Sequence, residues 1–351
     1  MGAYMTIKRS HANEAPVSRK CNRAGLPLRI IACAMLCFPG FGGALAQDDP
    51  ESQWWPPGDG RTLPAFIEYG NQHGRLGLVN ADGSVDTEGH PFFEALGTNG
   101  RACVTCHQPA DGMSISLATI RERWDATGGK DPLFAAIDGV NCPNLPLTEA
   151  ASHSLLLERG LFRIFLPWPP VAADGTTIDP EFALEVVRDP TGCNTSEEYG
   201  LNSENPTVSV YRRPRVAANL RFVATANFGV SAFIGKNGMP AARDPETGKP
   251  VNMNIMADAR EPTLRTQAQS AASGHMGFQG RLSKEQLDRI EAFERQLYVA
   301  QNYHNRAGEL DEENGPSGLG VVRWSTVAME CWATTSATGC FPLTKCGTRP
   351  R

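Results

Sequence analysis

Arg101-Ala102-Cys103-Val104-Thr105-Cys106-His107 sets the expectation for the whole chain. Cys-x-x-Cys-His puts two thiols three residues apart on one turn of helix with an imidazole directly after them, the attachment pattern of a c-type haem. Each thiol can add across a vinyl group, and the imidazole then lies beneath the iron as its proximal ligand. Cys103 and Cys106 are therefore expected to attach one covalent haem c, with His107 as axial ligand of its iron. The competing explanations are chance spacing and half of a zinc site. A zinc site needs four protein ligands, and no second Cys-x-x-Cys or His-x3-His completes one.

Upstream, Lys8, Arg9, Arg19, Lys20, Arg23 and Arg29 precede an apolar run from Ile30, and Ala44-Leu45-Ala46 precedes Gln47-Asp48-Asp49. This is the layout of a secretory signal over residues 1–46 with an A-x-A cleavage site, so a periplasmic or otherwise exported protein is expected. Pro39, Gly40, Gly42 and Gly43 break the run short of spanning length, and no membrane span is expected after cleavage. Cleavage removes six basic residues and Glu14, which moves the net charge five units, from −5 to −10. Nucleic acid is then excluded as a partner class, because phosphate binding needs a basic face. An oxidising compartment permits disulfides, and Cys142 and Cys193 are the pair left in the body of the chain. A bond between them is expected; two unrelated buried thiols are the alternative.

The 351 residues, 41% hydrophobic and 20% charged, have the balance of a globular protein of one large or two ordinary domains. Residues 47–90 are rich in Gly, Pro, Asn and Asp, show no helical period, and are expected to wrap the surface irregularly. Pro91 suits the first position of a short helix through Leu96, with Phe92 and Phe93 against a porphyrin. Leu117, Ile120 and Trp124 mark a helix over 114–124. Trp124 is expected in the core, and electron transfer beside a haem is the sharper alternative. Thr148 starts a helix through His153 and Leu161 that stops by Pro167. Phe182, Leu184 and Val186 alternate, as do Val208 and Val210, which predicts a hairpin within an insertion over about 125–205. Pro262 opens a helix through Leu264 and Ala268. Ser283 and Gln286 form a capping box for a helix whose apolar stripe is Leu287, Ile290, Phe293 and Leu297. His73, His90 and His304 lie in polar or loop contexts and are expected to be solvated.

The order Pro91-Phe92-Phe93, Asn99-Gly100-Arg101, Cys103 to His107, Arg212-Arg213-Pro214 with Asn219, Leu264-x-x-Gln267-Ala268 and His275-Met276 resembles the N-terminal haem domain of the bacterial di-haem cytochrome c peroxidase and MauG family. The resemblance covers roughly residues 88–303 and implies a mainly α fold. That fold is a cytochrome c-like helical haem domain over 91–303, carrying the loop-rich, partly β insertion. It implies that the segment Leu264 to Met276 runs along the open side of the haem, where Gln267 matches a distal-pocket glutamine. The family carries a glutamate before the methionine, where this chain has His275. An imidazole there can ligate the iron or act as acid and base on bound peroxide. His275 is thus the first candidate for the distal group, with His153 second and Met276 third.

The family's second haem domain has no counterpart, since the chain holds no other Cys-x-x-Cys-His. Residues 304–351 are expected as an irregular tail in which Cys331, Cys340 and Cys346 crowd together. Two readings stay open: truncation by a shifted reading frame, or a native tail with its own disulfide. Three function classes follow. The first is a peroxidase-like oxidoreductase that reduces hydrogen peroxide with electrons from a small donor cytochrome. The second is a low-spin electron-transfer cytochrome with a small redox-protein partner. The third is a haem protein without turnover.

Overall fold

In the computed structural model, which describes residues 44–45, 53–171, 175–225, 251, 254–257, 260–311 and 320–325, the stretch expected to be irregular is a sheet. Strand β1 (Ala44–Leu45) is followed by β2 (Thr62–Leu63), β3 (Phe66–Asn71), β4 (Gly74–Asn80) and β5 (Val85–Asp86). Ile67 and Tyr69 alternate with Phe66, Glu68 and Gly70, so one side of β3 is apolar and buried, the period-2 pattern of a half-buried strand. β3 and β4 pair antiparallel across a tight turn, with Asn71 opposite Gly74. Gly and Asn serve that turn, and their abundance masked the strand signal on either side. β2 and β5 form a separate two-stranded ribbon.

The helices follow their caps. The motif itself makes only a 3-10 turn, Cys103–Thr105. Helix α1 (Leu117–Thr127) starts where the Ser116 hydroxyl accepts the Thr119 N–H and ends at Gly128, whose φ is 61°. Helix α2 is only Ser154–Arg159, because Gly160 closes it in the left-handed region. The next residues are strand β6 (Phe162–Pro167), which pairs antiparallel with β7 (Thr207–Arg212). The Val208 and Val210 half of the expected hairpin is β7, but its partner is β6, built from residues read as the end of a helix, and not the stretch Phe182 to Val186. Phe182 is 63% exposed and Val187 is 91% exposed. Helix α3 (Leu220–Thr225) precedes α4 (Leu264–Met276) and α5 (Lys284–Gln296). The Ser283–Gln286 capping box of α5 is present in both directions.

At Leu297 the chain turns straight from α5 into strand β8 (Leu297–His304), which pairs with β4 and with β9 (Gly308–Glu309). The five-stranded sheet has the order β1-β3-β4-β8-β9. It is buried on both faces. Leu297 and Val299 join Leu78, Ile67, Phe92, Phe93, Ile290 and Phe293 in the main core, while Tyr298 faces Val321, Phe222 and Trp324 on the other side. Trp324 stacks on Phe222 at 4.4 Å and donates to Asn219 Oδ1, so residues 320–325 are packed rather than irregular. Pro91–Leu96 forms turns, not a helix.

These findings overturn the mainly α, cytochrome c-like expectation. Helix makes up 29% and strand 19% of the described residues, in several sheets. The physical reason is that Cys-x-x-Cys-His needs one turn of backbone and says nothing about what surrounds it. Outside the described residues lie the remainder of the expected signal 1–46 and Cys331, Cys340 and Cys346 of the tail.

Cys142 and Cys193 are joined, with Cα atoms 5.3 Å apart and the two residues 51 positions apart in sequence. Closing a loop of that length stabilises by about 4 kcal/mol in the chain-entropy treatment. Cys142→Ser/Cys193→Ser should lower the unfolding free energy by that order in urea titrations, and an unreduced peptide map should contain the cross-link.

Candidate functional site

A cavity of about 600 Å³, within the range of cofactor sites, lies among the motif turn, the segment after β7 and α4. Cys103, Cys106, His107, Gln267, His275 and Met276 all line it. So do Arg212, Arg213, Pro214, Asn219, Leu264 and Ala268, which bring stretches more than a hundred residues from the motif to the same cavity. Neither Trp124 nor His153 lines it. His153 is fully buried with Nδ1 2.6 Å from the Gly139 carbonyl and Nε2 2.9 Å from that of Leu147. Both nitrogens are committed to the backbone, which makes it a core histidine and corrects its place as second candidate. Trp124 packs edge-on against Phe134 at 5.0 Å, in the cluster that also holds Cys106.

His107 is positioned from below by Met113. Its Nδ1 lies 2.9 Å from the Met113 carbonyl, which also accepts the Ala217 N–H. Met113 has φ 62°, a left-handed conformation that costs a side chain free energy, at the residue whose carbonyl fixes this ring. Burial pushes the His107 pKa below the ordinary value; the Met113 and Arg215 carbonyls oppose that, and His275 acts with it. The ring is therefore neutral at neutral pH, the state a metal ligand needs.

His275 ends α4, and three contacts bind that helix end to the motif. Asn99 Nδ2 donates to the His275 carbonyl at 2.8 Å, and Arg101 Nη1 donates to the same oxygen at 3.1 Å. At Gly97 a Cβ would stand 1.9 Å from the Met276 carbonyl, so only glycine lets the loop before the motif lie against α4. The His275 ring is held by Asp138, whose Oδ2 is 2.6 Å from Nδ1. Asp138 also pairs with the buried Arg101 guanidinium. Burial alone would raise the Asp138 carboxyl, but Arg101 and then His275 hold it below the usual carboxylate range. An ionised Asp138 accepts Nδ1–H and leaves Nε2 of His275 as the basic nitrogen.

The two thiols are half-buried. Burial pushes Cys106 up to about 12 and Cys103 higher, against the attraction of Arg101 for a Cys106 thiolate. Burial therefore favours the neutral thiol form at both positions. Among the described residues no three His, Cys, Asp or Glu side chains are grouped to hold a metal ion. Arg213 and Arg215, exposed and lining the cavity, donate to the carbonyls of Arg159, Asn254 and Met256 and have no carboxylate partner among the described residues. Asn219 clips this segment to β8 by accepting from the Val299 N–H and donating to its carbonyl.

Several participants were not read from sequence. Asp138 has no local signal: it sits in a loop and meets Arg101 and His275 only through the fold. Glu294 did carry one, because it lies four residues after Ile290 on the apolar stripe of α5. It is 4% exposed, lines the cavity, and its Oε2 has no hydrogen-bond partner. His90, expected to be solvated, is buried against Phe93 and Phe293, and burial lowers its pKa to about 4. Among the described residues no helix is long and apolar enough to cross a membrane. Comparison of the chain with known protein families, curated proteins and solved structures finds no match.

Burial, with Glu291 acting in the same sense and Arg295 opposing, pushes Glu294 up to about 8. The folded chain keeps this proton to about pH 8, whereas an unfolded glutamate releases it near 4.5, so stability falls as pH rises between those values. The slope is on the order of 1.4 kcal/mol per pH unit. Urea unfolding at pH 5, 7 and 9 should show Glu294→Gln gaining on the wild type as pH rises, and parallel curves would remove the effect.

Proposed function

We propose that this protein is a c-type cytochrome of an exported compartment. It holds one haem through Cys103 and Cys106, has His107 as proximal ligand, and exchanges electrons with a small redox protein. One observation carries the reading: both thiols, His107 and His275 line a single cavity of about 600 Å³. The donor set fits the group. Cys103 and Cys106 line the cavity from one turn of backbone, the spacing that thioether attachment needs. The neutral His107, anchored through Nδ1 on the Met113 carbonyl, offers Nε2 as ligand. Arg213 and Arg215 in the cavity lining suit the two propionate carboxylates. When bound, a haem supplies one-electron chemistry at its iron.

His275 decides what kind of cytochrome this is. With Nδ1 on ionised Asp138, its Nε2 can serve as a strong sixth ligand, which is the low-spin electron-transfer reading. The same dyad favours a second reading, reduction of hydrogen peroxide, in which Nε2 of His275 takes up and returns a proton beside Gln267. Kinship with the di-haem peroxidases is supported by the order of the matching motifs and the convergence of Arg212, Asn219, Gln267 and His275 on one cavity.

The protein exported from a host that matures c-type cytochromes should keep its haem through acid–acetone extraction, and Cys103→Ala/Cys106→Ala should release it. A wild type without covalent haem would overturn the reading. In the haem-loaded protein, a low-spin ferric spectrum that His275→Ala turns high-spin and open to cyanide identifies the electron-transfer form. A wild type already high-spin, with peroxide turnover falling about 10²- to 10⁴-fold in His275→Ala, identifies the peroxidase form. No change in spectrum or turnover removes His275 from the site.

A further inference from the structure

Three buried arginines invite comparison. Arg101 pairs with Asp138 and Arg265 with Asp288. Arg163 on β6 is 5% exposed, and no carboxylate lies within ion-pairing distance among the described residues. Its Nη1 donates to Ser209 Oγ at 3.1 Å, and its Nε–H has no acceptor. An arginine stays charged in proteins, and a buried charge without a counter-ion is costly, so sites of this kind persist where something supplies the missing anion. Burial also holds the Arg163 pKa below its ordinary value, despite the attraction of Tyr211, Asp138 and Tyr199.

Arg163 forms part of the wall of a second cavity, about 350 Å³, beside the β6–β7 hairpin. The rest of the wall is mixed. Ile137, Pro143 and Phe165 are apolar, and the Arg163 guanidinium lies over the Phe165 ring at 5.1 Å. Tyr199 and the exposed Glu198 supply polar lining. One cation asks for one negative charge, and Glu198 on the same wall repels a second. Apolar walls ask for an apolar body.

We propose that this cavity is a binding site for a small monocarboxylate with an apolar body, its carboxylate meeting Arg163 and its body lying along Phe165, Pro143 and Ile137. The site does not depend on a haem in the larger cavity. It abuts the functional residues, because Ile137 precedes Asp138, and the Arg163 N–H donates to the Asp138 carbonyl at 2.9 Å.

The test uses the full chain and three probes: benzoate, neutral benzamide of the same shape, and inorganic phosphate. Calorimetry should detect benzoate binding, with benzamide and phosphate each at least about tenfold weaker, and benzoate alone should raise the melting temperature. Arg163→Met should lose the benzoate response while remaining folded, since it replaces an unpaired buried charge with an apolar chain of similar length. Arg163→Lys, which keeps the charge, should retain part of it. The proposal falls if benzamide matches benzoate, if phosphate matches benzoate, if Arg163→Met binds benzoate as the wild type does, or if benzoate does not bind. Should Arg163→Met fail to fold, the three-probe comparison on the wild type decides alone.

Discussion

A guanidinium taken out of water must have its N–H groups met, and Arg101, with 1% of its side chain exposed, meets that demand in one way. Its Nε donates to the Pro132 carbonyl, Nη2 to that of Leu133, and Nη1 to the His275 carbonyl and Asp138. These acceptors come from three separate stretches of chain. The short 3-10 turn Pro132–Phe134, capped by the Asp131 carboxylate, presents two of the carbonyls. The end of α4 presents a third. The residue just before the thiol turn therefore ties that turn to the end of α4, and both line the cavity.

The same ion pair reaches into the chemistry. Arg101 keeps Asp138 ionised against the cost of burial, and Asp138 orients His275. On the other side of the cavity a backbone carbonyl does the equivalent work for His107, in a loop that accepts a left-handed Met113 to do so. Two imidazoles thus enter one space, each with its Nδ1 occupied, one by a neutral acceptor and one by a charged one. The Arg163 cavity adjoins the charged side of this arrangement.

The sheet supplies the rigid floor. β8 is buried on both faces, its odd and even residues serving different cores, and it follows α5 without a linker. Helix α5 brings Glu294 to the cavity because Ile290 and Phe293 on the same helix are drawn into the main core. An unpaired carboxyl in that position is tolerable as a neutral acid and costly as an anion.

By itself the sequence determined what depends on neighbours along the chain. The thiol spacing, the caps at Ser116 and Ser283, the apolar stripe of α5 and the candidate pair Cys142 and Cys193 all rest on contacts or chemistry that a few residues encode. It also carried, through the order of short motifs, that Gln267 and His275 would stand with the thiols. The mainly α fold did not survive, because one 3-10 turn satisfies the motif, and turn-rich strands such as Phe66–Asn71 yield a weak local signal. Only the tertiary structure decided that His153 spends both nitrogens on carbonyls, that Asp138 meets Arg101 and His275, and that Arg163 meets no carboxylate among the described residues. Each is a matter of which polar groups are left to satisfy one another once water is removed, and that is settled by distance in space rather than position in the chain.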